Sequence, residues 1–116
     1  MKFEIHEIQD KELWERFLLA QAPGALFQSW PWGDVQKKMG VPVWRFGVYE
    51  GGRLIGIAQV IKVSAKRGRF LHVRHGPIIK NQHNAVWQFA TEWLKAFAQQ
   101  EQCWFVRINP LIADSI

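Results

Sequence analysis

Cysteine is nearly absent from this 116-residue sequence, and so are long apolar runs. The single Cys103 cannot form an internal disulfide and has no Cys-x-x-Cys partner for zinc, so we expect a small core residue in a reducing compartment. No apolar stretch approaches the roughly 18 residues of a bilayer-spanning helix, and residues 1–7 lack the apolar segment of a signal peptide. These absences predict a soluble protein of the cytoplasm.

Glycine and proline are also scarce: 9 Gly and 5 Pro are too few for a collagen-like or low-complexity chain. Hydrophobic residues make up 48% of the sequence and charged residues 22%, a balance that excludes intrinsic disorder. The length is close to the commonest size of one domain, which argues against two. We therefore expect one globular domain over residues 1–116.

Acidic residues are missing from residues 51–91, although the whole chain contains 10 of them. The same stretch carries Lys and Arg residues without local opposition, and the formal net charge of the chain is +5. Such a field attracts phosphates, so the pattern favours an anionic ligand; a basic, solvated face that aids solubility is the alternative. The bases of this stretch are Arg53, Lys62, Lys66, Arg67, Arg69, Arg74 and Lys80.

Hydrophobic residues recur at every second position in some segments and at every third or fourth in others, which predicts strands and helices respectively. Asp10, Ser29 and Asn84 are suitable N-caps for three helices. Gly51 and Gly52 predict a tight hairpin, because glycine accepts positive φ without a Cβ clash. The predicted strands cover residues 2–8, 43–49, 54–61, 69–73 and 103–108, and the predicted helices run from Asp10 to residue 21, over 30–39, and from Asn84 to residue 100.

The predicted elements follow the order β-α-α-β-β-β-α-β, in which three consecutive strands form an antiparallel meander. We expect an α+β fold with helices packed on one mixed, mostly antiparallel sheet. By analogy at the level of the fold, this order resembles the GNAT (acyl-CoA N-acyltransferase-like) architecture, in which two helices follow the first strand and a long helix precedes a central strand. That architecture continues after the last strand predicted here, so we expect residues 1–116 to form a single GNAT-like subdomain truncated at its C-terminus.

The turn after the fourth predicted strand is poorly suited to acyl-CoA. In GNAT enzymes, backbone N–H groups of a Gly-rich turn at this place bind the pyrophosphate of acyl-CoA. Residues 74–80 contain one glycine, Gly76, and the following Pro77 has no N–H to donate. The sequence therefore disfavours acyl-CoA as the acyl donor.

The sequence offers no clear candidate for metal binding or covalent catalysis. Its four histidines, at positions 6, 72, 75 and 83, fall on different predicted elements without metal-ligand spacing. Cys103 lies in an apolar segment that should raise its pKa, and no Ser-His-Asp or Cys-His signature is present. His72 and His75 flank Arg74, whose charge should keep them neutral and suited to hydrogen bonding; a strand-end pair without a special role is the alternative.

Tryptophan is abundant, with 7 residues. Trp14 and Trp93 fall on inward helix faces, and we expect both in the core. Trp30, Trp32 and Trp44 lie close in sequence to several bases, an arrangement that can stack on nucleobases or sugars. Core packing is the alternative that we favour for these three as well.

Four short blocks carry a family resemblance when they are taken together and in order. They are FQSWPWG at 27–33, FGVYEGGRLIGIAQ at 46–59, RGRFLHVRHGP at 67–77 and FVRINP at 105–110. In these blocks the sequence resembles the FemAB (Fem-type) aminoacyltransferases. Members of this family are built from two GNAT-like subdomains and move an amino acid from aminoacyl-tRNA to an amine on the stem peptide of a peptidoglycan precursor. The resemblance implies that this chain supplies most of the first subdomain.

The resemblance also implies precursor-binding positions: around Gln36 and Lys37 on the second helix, at Trp104 on the last strand, and at the basic position before Gly-Pro, which is His75 here. Gln36 stands where some relatives have lysine, and Trp104 where they have tyrosine, which leaves Lys37 and Arg74 as substitute cations. A cation against a pyrophosphate and an aromatic ring against a uracil or sugar are suitable pairings. We expect these five residues to bind the precursor and name no catalytic residue.

The implied partners are aminoacyl-tRNA as co-substrate, with no cofactor, and a UDP-sugar-peptide or its lipid-linked form as acceptor, with peripheral contact to the inner membrane face. Two alternative functions remain: a GNAT-like N-acyltransferase for another amine, and a small RNA-binding module that uses the basic stretch and exposed tryptophans. A truncated sheet would leave the last strand with an unpaired edge. We therefore expect the 116-residue chain alone to lack transferase activity and to self-associate.

Overall fold

The computed structural model of the chain describes residues 2–66 and 68–110. Within these ranges the strands are β1 (Phe3–Glu7), β2 (Val43–Glu50), β3 (Arg53–Ala65), β4 (Gly68–His75), β5 (Ile78–Ile79) and β6 (Phe105–Pro110). The helices are α1 (Lys11–Gln21), α2 (Trp30–Lys38) and α3 (Asn84–Gln100), with 3₁₀ turns at Leu26–Gln28 and Lys80–Gln82.

The strands form one mixed sheet in the order β1-β2-β3-β4-β6, and β5 pairs with β3 off this path. The β2–β3 and β3–β4 pairs are antiparallel, so the predicted meander is present. Strand β6 runs parallel to β4, since α3 forms the crossover between them. The predicted α+β architecture with a mostly antiparallel sheet is therefore confirmed.

The predicted N-caps of two helices are confirmed, and the predicted N-cap of the third is wrong. Asp10 and Ser29 each accept a hydrogen bond from a backbone N–H in the first turn of the helix that they cap. Helix α3 begins at Asn84 itself, and its N-cap His83 makes no side-chain capping bond. The broad apolar face of this helix packs against the sheet, and that packing stabilises it without a capping side chain.

Strands β4 and β6 both reach further along the chain than the alternation of residues predicts. They pair in parallel from Phe70 with Phe105 to His75 with Pro110. Strand β6 begins at Phe105 rather than 103, because the N–H of Cys103 donates to the carbonyl of Ala98 and closes the end of α3. The prediction that this strand covers residues 103–108 is therefore wrong by two positions.

Helix α3 covers one face of the sheet. Its Leu94 and Ala98 pack with Leu71 and Val73 of β4 in a buried cluster. Cys103 joins this cluster, and burial raises the pKa of its thiol, as the sequence predicts. None of the helices in residues 2–66 and 68–110 is long and apolar enough to cross a membrane.

Tryptophans fill the core on both faces of the sheet. Trp14 of α1 is fully buried and packs with Ile57 of β3, which confirms its predicted place. Trp44 and Trp93 pack against the core on the α3 face, where both contact the ring of Phe97. Core packing is thus the role of these three tryptophans.

Candidate functional site

One surface of the sheet carries polar and aromatic side chains instead of an apolar layer. Alternate residues of a strand point to opposite faces, so the residues of β4 and β6 that do not face α3 lie together on the other side. We call this surface the β4–β6 face. It consists of Phe70, His72 and Arg74 of β4 and Phe105, Arg107 and Asn109 of β6, all half-buried or exposed.

Side chains of the β4–β6 face contact one another in order along the strands. The rings of Phe70 and Phe105 stack with their centroids 4.9 Å apart. The guanidinium of Arg107 lies 5.1 Å from the ring centroid of Phe70. Further along, Nε2 of His72 is hydrogen-bonded to Oδ1 of Asn109. The face therefore changes from aromatic to cationic toward the carboxyl ends of both strands.

A pocket of about 320 Å³ lies at the carboxyl ends of β4 and β6. The guanidinium of Arg74 lies 3.7 Å from the ring centroid of Phe27, and Trp32 of α2 packs edge-on against the same ring at 5.3 Å. Two guanidinium groups line this pocket, and no acidic residue is among its described lining residues. The lining residues are Phe27, His72, Arg74, His75, Arg107 and Asn109.

Both histidines of the pocket are biased toward the neutral form. Burial and the neighbouring Arg74 lower the pKa of His75. Burial lowers the pKa of His72 as well, with Arg74 and Arg107 adding to the effect and the bond to Asn109 opposing it. The N–H of Phe27 donates to Nδ1 of His75 at 3.4 Å, so the neutral ring carries its proton on Nε2. His75 therefore presents a hydrogen-bond donor, not a base, at that nitrogen.

A buried polar network holds α2 against the sheet beside the pocket. Nε of Arg45 on β2 donates to Oε1 of Gln59 on β3 at 2.8 Å. Nη2 of Arg45 donates to the carbonyl of Trp30 and to the carboxylate of Asp34. Nε2 of Gln59 donates to the carbonyl of Ser29 at 2.8 Å. Throughout the described ranges, every buried side-chain nitrogen or oxygen has a hydrogen-bond partner. The segment that carries Phe27 and Trp32 is thus fixed in place.

The turn after β4 uses its own backbone donors internally. The N–H of Gly76 points to the carbonyl of Val73, and Pro77 has none. Ile78 and Ile79 form β5, which the sequence did not predict, and pair with β3. Helix α3 starts several residues later, so its N-terminus does not follow the turn directly. This arrangement offers no cradle of free amides within the described residues of the turn.

The sequence-predicted residues Arg74 and His75 lie together in the pocket, whereas Trp104 lies at the other end of the same strands. The N–H of Trp104 donates to the carbonyl of Arg69, and its ring lies against Gly68. Asn109, a lining residue of the pocket, lies five positions after Trp104, which corresponds to about 17 Å along a strand. Trp104 is 77% exposed and lines an open pocket of about 610 Å³ with basic side chains.

Gln36 and Lys37 lie near the end of α2. Gln36 is four residues after Trp32 and therefore on the same side of the helix, one turn from the contact between Trp32 and Phe27. Lys37 follows in the last turn and is exposed. The structure thus brings Gln36 close to the aromatic cluster of the pocket by helix geometry, and it leaves Lys37 in solvent beside it.

The basic residues of the sequence stretch 51–91 do not form one patch. Nζ of Lys62 donates to the carbonyl of Glu101 at 2.8 Å and lies 3.8 Å from its carboxylate, so this base has an acidic partner that is distant in sequence. Lys66 and Arg69 lie at the start of β4, beside Trp104, and Arg74 lies at its end. Lys66 and Arg69 are therefore separated from Arg74 by the length of β4.

Four of the six lining residues were not identified as site residues from the sequence: Phe27, His72, Arg107 and Asn109. Phe27 lies 47 residues from Arg74, and only the fold brings them together. Arg107 alternates with Val106 and Ile108, a pattern that indicates an outward position but not its parallel partner His72. Within the described ranges, no group of three or more His, Cys, Asp or Glu side chains is arranged to hold a metal ion.

Comparison with solved structures relates this fold to known proteins. The crystal structure of FemX matches with a TM-score of 0.80 and 19% identity over 94% of this chain, and the match covers 27% of FemX. A ribosomal-protein-alanine N-acetyltransferase from Brucella melitensis matches with a TM-score of 0.67 and 14% identity, over 97% of this chain and 83% of that enzyme. A GNAT family acetyltransferase from Staphylococcus aureus matches with a TM-score of 0.66 and 10% identity, over 100% of this chain and 92% of that enzyme.

At these identities the structural matches show the fold, which is the GNAT-like fold that the element order predicts. The chain spans about a quarter of the length of FemX. A comparison of the sequence with curated proteins finds no match. The model of the FemAB family matches residues 9–115, nearly the whole sequence. This chain belongs to the FemAB family.

Proposed function

We propose that this chain is the first GNAT-like subdomain of an aminoacyltransferase that moves an amino acid from aminoacyl-tRNA to an amine on the stem peptide of a peptidoglycan precursor. The observation that carries the proposal is the family match over residues 9–115. The structural similarity to FemX over 94% of this chain agrees with it. In this reaction the amine attacks the aminoacyl ester, an amide bond forms, and the tRNA hydroxyl leaves.

The β4–β6 face supports a role in binding the acceptor. Arg74 and Arg107 offer guanidinium groups that suit a diphosphate, and Phe27 offers a ring that already stacks on one of them. The neutral imidazoles of His72 and His75 suit hydrogen bonds to sugar or peptide groups. We propose that the precursor lies along this face, from the pocket at its carboxyl end toward Trp104.

Two residues of α2 complete the proposed acceptor site. Gln36 lies one helical turn beyond Trp32, whose ring packs against Phe27 of the pocket, and its amide is suited to bond a sugar or peptide group. Lys37 is exposed next to it and adds a mobile positive charge within reach of a phosphate. We assign both to binding.

Aminoacyl-tRNA, rather than acyl-CoA, is the proposed donor, and no cofactor is required. The turn that would bind the pyrophosphate of acyl-CoA has its Gly76 amide directed inward and a proline at the next position. The donor and acceptor are cytoplasmic molecules, so the proposed reaction takes place in the cytoplasm, with contact to the inner membrane face when the acceptor is lipid-linked.

A transfer assay with the intact protein tests this proposal. The protein is mixed with a UDP-sugar-peptide and with each of a set of charged tRNAs, and the amide product is detected by mass spectrometry. We expect product with at least one aminoacyl-tRNA. Substitution Arg74→Ala should raise KM for the acceptor by about tenfold or more, because a charge-assisted hydrogen bond is lost. Arg53→Ala, at the distant β2–β3 hairpin, is the control and should leave KM unchanged.

Other outcomes of the assay support the alternatives. Product from an acyl-CoA and none from aminoacyl-tRNA would indicate a GNAT-type N-acyltransferase for another amine. Tight, sequence-tolerant RNA binding with a steep salt dependence, and no product, would indicate an RNA-binding module. If Arg74→Ala and Arg53→Ala change KM for the acceptor equally, the pocket is not part of the acceptor site.

Self-association of the 116-residue chain is a second part of the proposal. Strand β6 lies at the edge of the sheet formed by the described residues, and its first residue Phe105 and the preceding Trp104 are exposed. An apolar strand with an open edge pairs readily with another chain. We expect sedimentation of this chain to show dimers or larger species at high concentration, without transferase activity.

A further inference from the structure

The pairing between β3 and β4 stops at His72, before β4 reaches Arg74 of the pocket. The last pair in the antiparallel register is Ile61 with His72. Two residues further on, the same register would place Gln59 of β3 opposite Arg74 of β4, but the strands are not paired there. Strand β3 pairs with β5 beyond this point. The sheet therefore has a gap between Gln59 and Arg74, at the position that leads into the pocket.

The side-chain amide of Gln28 fills this gap. Its Nε2 donates to the carbonyl of Gln59 at 3.1 Å and to the carbonyl of Arg74 at 2.7 Å. Its Oε1 accepts from the backbone N–H of Gln59 at 2.7 Å. A carboxamide carries the same kinds of donor and acceptor as a peptide group, so Gln28 completes the ladder in place of a strand. The side chain is fully buried.

Gln28 is itself held firmly in this position. The indole Nε1 of Trp14 donates to the backbone carbonyl of Gln28 at 2.6 Å, and both residues are fully buried. On the side of the turn, a Cβ added to Gly76 would lie 2.8 Å from Cδ of Gln28, so the two residues are in close contact. The carboxamide therefore has little freedom, and the carbonyl of Arg74 that it binds is fixed relative to α1 and β3.

We propose that Gln28 is a positioning residue for the acceptor site, because it fixes the main chain of Arg74 while its neighbour Phe27 stacks on the guanidinium of the same residue. The two contacts measure 2.7 Å to the Arg74 carbonyl and 3.7 Å from the guanidinium to the ring centroid. This role rests on the proposed function of the pocket. It assigns a part in ligand binding to a residue that no ligand reaches, since Gln28 is buried beneath the site.

Kinetics of the intact protein test the positioning role through the division between KM and kcat. We expect Gln28→Ala to raise KM for the UDP-sugar-peptide by about tenfold, with a smaller change in kcat, because misplacement of a binding group weakens binding strongly. Val48→Ala is the matched control: it removes buried apolar atoms from another core cluster and lowers stability without touching Gln28. Its KM should remain that of the unsubstituted protein at temperatures where both variants are folded.

The variant Gln28→Glu provides a second signature. A buried carboxyl group has a raised pKa, and in its neutral form it keeps one donor and one acceptor. At low pH we expect this variant to approach the KM of the unsubstituted protein. As the pH rises and the carboxyl ionises, its donor is lost and KM should rise. A role in stability alone would not produce this pH dependence of KM in folded protein.

A measurement without activity separates this inference from the proposed function. NMR titration of His75 in Gln28→Ala should show its pKa returning upward toward the usual value of about 6.5, because the end of β4 relaxes away from Phe27 and His75 becomes less buried. An unchanged His75 pKa together with an unchanged KM overturns the positioning role. Absence of any transfer by the unsubstituted protein overturns the proposed function, while the His75 titration still decides whether Gln28 fixes this end of β4.

Discussion

The two faces of the paired strands β4 and β6 are built from alternate residues, yet they differ in burial, polarity and charge. Toward α3 the strands present Leu71 and Val73, both fully buried, and Val106 and Ile108 pack against the same cluster. On the β4–β6 face the neighbouring positions carry arginine, histidine and phenylalanine side chains that remain partly in solvent. One backbone therefore presents core side chains on one side and partly exposed polar and aromatic side chains on the other.

This difference shows how the site obtains rigidity without being buried. The apolar face fixes the strands, and the strands in turn fix the spacing of the side chains on the opposite face. The polar side chains are then held by each other: Arg74 lies over Phe27, and His72 binds Asn109. We therefore expect substitutions on the α3 side to change stability and substitutions on the β4–β6 face to change ligand binding.

The largest effect on stability should come from Leu71→Ala. Leu71 is fully buried on the α3 side, and its truncation leaves a cavity that costs about 2–5 kcal/mol. Its neighbour in sequence, His72, faces the other side, so His72→Ala should cost much less. Urea unfolding of both variants measures the contrast. Equal losses would contradict the division of the strands into a core face and a binding face.

The next largest effect should come from Gly33→Ala in α2. An added Cβ would lie 2.1 Å from Oε1 of Gln59 and 2.6 Å from a guanidinium nitrogen of Arg45, so the buried network must shift at a cost of about 1–3 kcal/mol. Gly24→Ala is the control, because no atom lies within 4 Å of its added Cβ. Unfolding of the two variants, followed by circular dichroism, measures both stability losses. An equal loss of stability in Gly24→Ala and Gly33→Ala would contradict the prediction.

Local features of the fold were predictable from the sequence, because they depend on neighbours along the chain. The hairpin at Gly51 and Gly52 has φ angles of 56° and 79°, which glycine tolerates, and the cap at Asp10 is decided by the first helical turn. The candidate site was predictable only in part. Arg74 and His75 were found, since they stand in a basic stretch that also carries a family motif.

The remaining parts of the site depend on contacts between segments that are distant in sequence. The stacking of Phe27 on Arg74 and the pairing of Lys62 with Glu101 cannot be derived from periodicity. Strand β5 has only two residues and pairs with β3, and Gln28 bridges the backbones of β3 and β4 nearby. A side chain that takes the place of a paired strand leaves no periodic pattern in the sequence.

A moderate effect on ligand binding should follow from Trp104→Ala. If the acceptor extends along the β4–β6 face, loss of this exposed ring at the far end should weaken binding severalfold, as expected for a stacking contact of about 1 kcal/mol. Trp104→Phe should restore most of the affinity, and Trp87→Phe on α3 is the matched control. Affinity unchanged in Trp104→Ala would restrict the acceptor site to the pocket around Arg74.

The smallest effect should be a pH dependence of stability. Burial, together with Arg74, lowers the pKa of His75 in the folded protein, and burial likewise lowers that of His72. The unfolded chain therefore binds protons more readily, and stability is lost as the pH falls below the unfolded value of about 6.5 toward the lower folded values. Urea unfolding at pH 7.5 and 5.5 should show this loss, and a double substitution of both histidines by Asn should reduce it. If the double variant loses as much stability between pH 7.5 and 5.5 as the unsubstituted protein, the loss comes from other groups.

The central claim is that the arginines of the pocket bind the acceptor through their position and not only through their charge. Calorimetric titration of the intact protein with a UDP-sugar-peptide tests it most directly, by comparing the double variant Arg74→Ala/Arg107→Ala with Arg53→Ala/Lys80→Ala. Each pair removes two positive charges, but only the first lies in the pocket. We predict that the first variant weakens binding by about 100-fold, from the loss of two charge-assisted contacts, and that the second weakens it by less than about threefold. Equal losses in both variants, or full affinity in the first, would contradict the claim.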